Sequence, residues 1–137
     1  MRTELEILKA SKNIAVVGAT STPNRPGNVA PKFLLDHGYS IFPVNPTETE
    51  VHGQKAYPSL SEVPGSVDIV NIFRRSDAVP GIVDEAIKIG ATVVWMQEGV
   101  EHEEAAAKAR EAGLEVIMNR CIHCALTDHE DEIPRIS

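Results

Sequence analysis

An apolar run ending at Gly18 is followed by Gly18-Ala19-Thr20-Ser21-Thr22-Pro23-Asn24-Arg25-Pro26-Gly27-Asn28. This Gly-led loop carries consecutive hydroxyls and one Arg, and it leads into a helix-like stretch. Those residue types suit an anion. Hydroxyls donate to phosphate oxygens, a guanidinium forks onto them, and the N–H groups and dipole at a helix start favour negative charge. An ordinary polar connection has the same composition, so the loop alone leaves both readings open.

Two familiar phosphate motifs are missing. There is no Gly-x-x-x-x-Gly-Lys-Ser/Thr, which argues against an ATPase loop. There is no Gly-x-Gly-x-x-Gly either, and the second strand-like run ends in Val44-Asn45-Pro46 without the acidic residue that takes an NAD ribose. Glu48 and Glu50 lie slightly beyond, which keeps an NAD(P)-linked oxidoreductase as an alternative.

Further along, Arg74 and Arg75 follow an apolar run, with Asp77 close by. Arg74 and Arg75 can both grip a ligand phosphate, or one of them can pair with Asp77 at the surface; Arg74 is favoured for the ligand because it lies at a strand's carboxyl end. Cys121, His123 and Cys124 are the one cluster of chemically active side chains. They read as an inert pair, as a thiol activated by Arg120 or His123, or as part of a metal site needing a fourth ligand such as His129. A disulfide framework is not expected from two cysteines three apart. Trp95 reads as core. No catalytic constellation emerges.

The elements that position these residues show as a repeated pattern. Helix-like stretches end at Gly38, Gly90 and Gly113, and apolar runs follow at 40–44, 92–96 and 114–118. Glycine just past a helix supplies its left-handed cap. Runs at 13–18 and 67–73 make five strands, mostly continuous in apolar character, as strands covered on both faces should be. Between them, Ala30, Phe33, Leu34 and His37 form a helical stripe, capped by Asn28. Val79, Ile82, Val83 and Ala86 form a second stripe, capped by Ser76 or Asp77. Ala105, Ala106, Ala109 and Ala112 form a third. The segment from Tyr57 to Val63 has room for one helical turn.

The alternation predicts an α/β fold: a single Rossmann-like domain over 1–137 with a five-stranded parallel sheet and helices on both faces. The expected strand order is 3-2-1-4-5. Residues 1–12 should form a leading helix, and 127–137 a polar, partly frayed tail. The chain has 137 residues, 42% of them hydrophobic, enough for one core. Its net charge of −7 argues against a general nucleic-acid binder. No run approaches a membrane span, and the mixed-charge N-terminus is unlike a signal peptide, so a cytoplasmic setting is expected.

Taken in order, Gly18 to Asn28, Val44-Asn45-Pro46, Phe73-Arg74-Arg75-Ser76, Gln97-Glu98-Gly99-Val100 and Asn119-Arg120-Cys121 resemble the bacterial and archaeal CoA-binding protein family. That family is similar to the N-terminal CoA-binding domain of the succinyl-CoA synthetase alpha subunit. The resemblance runs from about Asn13 to Cys121. It implies coenzyme A as the ligand, with Gly18, Ala19, Thr20, Ser21 and Arg25 on its phosphates. Val44, Asn45 and Pro46 would line the adenosine side. Phe73 matches an aromatic of the synthetase domain, flanked by Arg74 and Ser76. Gln97 and Glu98 match the segment along the pantetheine arm, and Cys121 lies near the thiol end.

The sequence also departs from that pattern. Thr47-Glu48-Thr49 stands where the synthetase domain has Gly-Lys-Gly, which leaves Arg25 or Lys32 to supply the lost cation. Ile122 replaces the proline after the cysteine. The synthetase's phosphorylated histidine belongs to a second domain, so neither His123 nor His129 inherits its role. A non-catalytic module binding CoA or an acyl-CoA is therefore expected, alone, as a homodimer or with another protein. Besides the NAD(P) reading, a thiol redox protein forming a Cys121–CoA mixed disulfide is the alternative.

Overall fold

A computed structural model describes residues 1–136. Thr3 opens α1 (Glu4–Ala10) with reciprocal capping: its hydroxyl accepts from the Glu6 N–H, and the Glu6 carboxylate accepts from the Thr3 N–H. The five-stranded sheet consists of β1 (Asn13–Val17), β2 (Ser40–Val44), β5 (Ile69–Ile72), β6 (Val93–Met96) and β7 (Glu115–Ile117). A two-stranded antiparallel ribbon, β3 (Glu50–Val51) with β4 (Gln54–Lys55), interrupts the connection after β2. The other helices are α2 (Pro26–Asp36), α3 (Val79–Lys88), α4 (Glu103–Glu111) and α5 (Ile122–Asp128).

All neighbours in the large sheet are parallel, as expected of an α/β Rossmann-like fold. The order is β2-β1-β5-β6-β7, so the third long strand lies beside the first. The expected 3-2-1-4-5 order had put the second strand inside the sheet. Pro43 explains the difference: it has no N–H to give a second neighbour, so β2 is suited to an edge. The sheet's direction of winding therefore reverses between β1 and β5, where Phe73 N–H donates to Val17 O at 2.8 Å.

Both faces are covered. Ile7, Leu34, Ile122 and Leu126 bring α1, α2 and α5 onto one face, with Ile14, Val16 and Trp95 beneath them. Val79, Val83, Ala106 and Ala109 bring α3 and α4 onto the other, over Ala15, Val70 and Val94. The small residues of α4 let it pack closely.

Several local expectations shift. The α2 helix starts two residues before Asn28, with Arg25 at the cap position and Pro26 in its first turn. Proline's fixed φ and missing N–H suit that place. A 3-10 turn at Ser76–Ala78 precedes α3, and Ala78 is its cap residue. Tyr57 to Val63 does hold one turn, Leu60–Glu62. The final segment does not trail away: Ile133 is buried, and Ile136 N–H donates to Asp36 O at 2.8 Å. Ser137 lies outside the described residues.

Candidate functional site

The first loop is held from three sides. Gly18 N–H donates to Val44 O at 2.9 Å, tying the ends of β1 and β2 together. Gly18 has φ +94°, and a Cβ there would strike the Phe73 carbonyl oxygen. Glycine alone fits both demands. Gly27 closes the loop from the other end, where an added Cβ would stand 2.6 Å from Gly18 O. Thr20 N–H donates to Gly27 O at 3.1 Å. Asn28 Nδ2 donates to Thr20 O, and Asn45 Nδ2 to Ala19 O, each at 2.9 Å.

Beyond this loop three cavities adjoin along the carboxyl ends of the strands. The central one, about 540 Å³, is lined by Gly18, Thr20, Arg25, Phe73 and Arg74 among others. It meets a second, about 330 Å³, at Arg74, where Val44, Pro46 and Leu60 are among the lining residues. At its other end it meets a third, about 260 Å³, through Pro26, Gln97 and Glu98. Cys121 and His123 line that last cavity. Together they form a groove across the point where the sheet reverses, the usual ligand position in such sheets.

Most of the residues singled out from the sequence line this groove. Ala19, Ser21, Asn45 and Ser76 do not line any of the three cavities. Ala19 is buried, and Asn45 braces the loop while its Oδ1 accepts from Thr47. Ser76 Oγ accepts from Glu101 N–H at 3.1 Å. Sequence reasoning did not single out Pro26, Gly27 or Val100 as central lining residues, and it favoured Arg74 over Arg75, which lines the cavity too. Pro26 and Gly27 directly follow Arg25, so their place in the loop was the available signal.

The groove gathers cations in an acidic protein. Among the described residues, neither Arg25 nor Arg74 pairs with a carboxylate, whereas Arg75 bonds Asp77 at 3.2 Å, one of the two readings left open for that pair. Below them, Gln97 is buried and its Oε1 accepts from Ile122 N–H at 3.2 Å. Asn71 in β5 donates to Trp95 O at 3.3 Å. Trp95 is fully buried, with its indole N–H on Arg120 O at 2.8 Å, a core position as read from the sequence.

The cysteine cluster differs from expectation. Cys121, at the cap of α5, is disulfide-joined to Cys124, although no bridge was expected. Arg120 does not activate a thiol: its guanidinium is committed to Glu4 and Asp128 at 2.9 Å each. His129, the fourth ligand a metal site needed, instead meets Glu4 at 2.9 Å. Among the described residues no three His, Cys, Asp or Glu side chains converge on a possible metal position. Burial first, then Arg135 and His37, hold the His123 pKa below its ordinary value.

The family model for the CoA binding domain matches residues 12–127. Over 120 residues the chain is 48% identical to the Bacillus subtilis protein YneT, covering 88% of this chain and 89% of that one. It is 36% identical over 96 residues to the alpha subunit of the ADP-forming acetate–CoA ligase I of Pyrococcus furiosus. That match covers 66% of this chain but only 21% of the ligase subunit. A solved structure of a protein from Pyrococcus horikoshii OT3 superposes with a TM-score of 0.88 at 43% identity, covering 90% of this chain and 87% of that one. The chain belongs to the CoA binding domain family, in agreement with the resemblance read from its motifs.

Proposed function

We propose that this protein binds coenzyme A, or an acyl-CoA, as a non-catalytic module, with residues 1–137 acting as one unit in the cytoplasm. The ligand lies extended along the groove. Its adenosine sits by Val44 and Pro46, its phosphates by Gly18, Thr20, Arg25 and Arg74, its pantetheine arm by Gln97 and Glu98, and its thiol by Cys121.

The observation that carries this reading is the groove's order of chemistry. A cavity walled in part by Val44, Pro46 and Leu60, a cavity with a Gly-led loop and two guanidiniums that pair with no carboxylate among the described residues, and a smaller cavity lined by Cys121 follow one another. A nucleotide with a long thiol-terminated arm has the same sequence of parts. Charge-assisted contacts to phosphate are among the stronger polar contacts available. The ligase chemistry of the Pyrococcus relative is not carried over, because the chain matches only a fifth of that subunit.

Amide chemical-shift mapping with CoA tests the placement. Shifts are expected together at Gly18 to Gly27, at Arg74 and at Gln97 to Cys121. Binding that moves only amides remote from the strand ends would contradict it.

A further inference from the structure

The groove ends at a feature that simple binding leaves unused. Cys121 shares its last cavity with Gln97, Glu98 and His123. It is bridged to Cys124, with Cα atoms 5.2 Å apart. Cys121 is half-buried in the cavity wall, whereas Cys124 is exposed and lies outside that lining. A bridge three residues long constrains the unfolded chain far less than a long-range one. The α5 helix is in any case fixed by buried Ile122, Ala125 and Leu126. Stapling is therefore a weak reason for the pair.

We propose that the Cys121–Cys124 pair undergoes thiol–disulfide exchange with the thiol end of a ligand held in the groove, interconverting a bound thiol and its disulfide. This rests on the reading that the groove holds CoA. A ligand thiolate attacks Cys121 Sγ. The Cys121–Cys124 bond breaks, a ligand–Cys121 mixed disulfide forms, and Cys124 leaves as a thiolate that takes a proton from water. A second ligand thiolate then attacks the ligand sulfur of the mixed disulfide. Ligand disulfide departs and Cys121 is left as a thiolate, which is protonated in turn. Two ligand thiols are oxidised while one protein disulfide is reduced to two thiols. Run backwards, the reduced pair converts a ligand disulfide to two thiols with the same balance. His123 lines the same cavity as Cys121.

The test uses the full chain, oxidised, freed of oxidant and mixed without oxygen with CoA or 2-mercaptoethanol at equal thiolate concentration. CoA is expected to open the pair at least tenfold faster, with a rate that saturates. The adduct should weigh one whole CoA more than the oxidised protein and map to Cys121. Arg25→Ala should slow the reaction with CoA more than that with 2-mercaptoethanol. Equal rates for the two thiols, an adduct on Cys124, or two free thiols in the oxidised protein would each overturn the proposal. A parallel titration of the reduced protein with CoA separates the two claims. Binding without a rate preference overturns exchange alone; no binding overturns the groove reading as well.

Discussion

The Glu48 carboxylate accepts from the Thr20 hydroxyl at 3.0 Å, across the mouth of the first loop. The Ser21 N–H donates to the same oxygen at 3.0 Å. Two donors that would suit a phosphate therefore hold the chain's own anion. The Ser21 bond, with help from Thr20, keeps the Glu48 pKa below the usual carboxylate range.

A bound phosphate would compete for those donors and repel Glu48. Glu48→Gln keeps an acceptor but removes the charge, so CoA affinity should rise several-fold. In the wild type, binding should raise the Glu48 pKa, so proton uptake accompanies binding at acid pH. Affinity should then increase as pH falls into the carboxylate range. Titrations of both proteins at neutral and acid pH check this; weaker binding by Glu48→Gln would show that the carboxylate supports the bound loop instead.

Arg25 and Arg74 have no carboxylate partner among the described residues, and both line the central cavity. Removing either to Ala should weaken CoA by about 1–3 kcal/mol. Salt should weaken CoA binding less in each variant than in the wild type. An unchanged affinity for one variant would take that residue out of the phosphate site.

Gly18 is a sharper probe of the loop than any polar residue. Its positive φ and the Phe73 carbonyl leave no room for a Cβ. Gly18→Ala should cost about 1–3 kcal/mol of stability and reduce CoA affinity. Thermal melts would check the first effect and titration of the folded variant the second. A variant with wild-type melting would mean the loop is free to move aside.

Glu4 joins α1 to α5 through Arg120 and His129. The Arg120 bond is the main cause of the lowered Glu4 pKa. A carboxylate with a depressed folded pKa stabilises above its unfolded pKa, and that stability is lost as pH falls through the folded value. Glu4→Gln should therefore destabilise the protein by about 1 kcal/mol at neutral pH. The difference from wild type should shrink at acid pH, as the pH falls below the ordinary glutamate value of about 4.3 and through the lower folded value. Melting curves at the two pH values would reveal the opposite sign if the cluster were merely tolerated.

The sequence carried the alternation of elements clearly, because buried parallel strands read as apolar runs and glycines mark the helix ends. Strand order was less legible, since apolar character does not name neighbours. Pro43 was the local clue that β2 is an edge. The short α5 helix left only one turn of an apolar stripe, Ile122, Ala125 and Leu126. Within the site, residue type pointed to Arg25, Arg74 and the Gly18 loop, which line the groove. It did not separate lining from bracing. Ala19 and Asn45 lie in the right segments but turn into the scaffold, because loop side chains follow no period that a sequence reader can count.

Calorimetric titration of the reduced protein with CoA, dephospho-CoA, NAD and ATP tests the central claim most directly. The account predicts selective binding of CoA at micromolar affinity or better, about −8 kcal/mol. Preference for NAD, or no binding of any of the four, would contradict it.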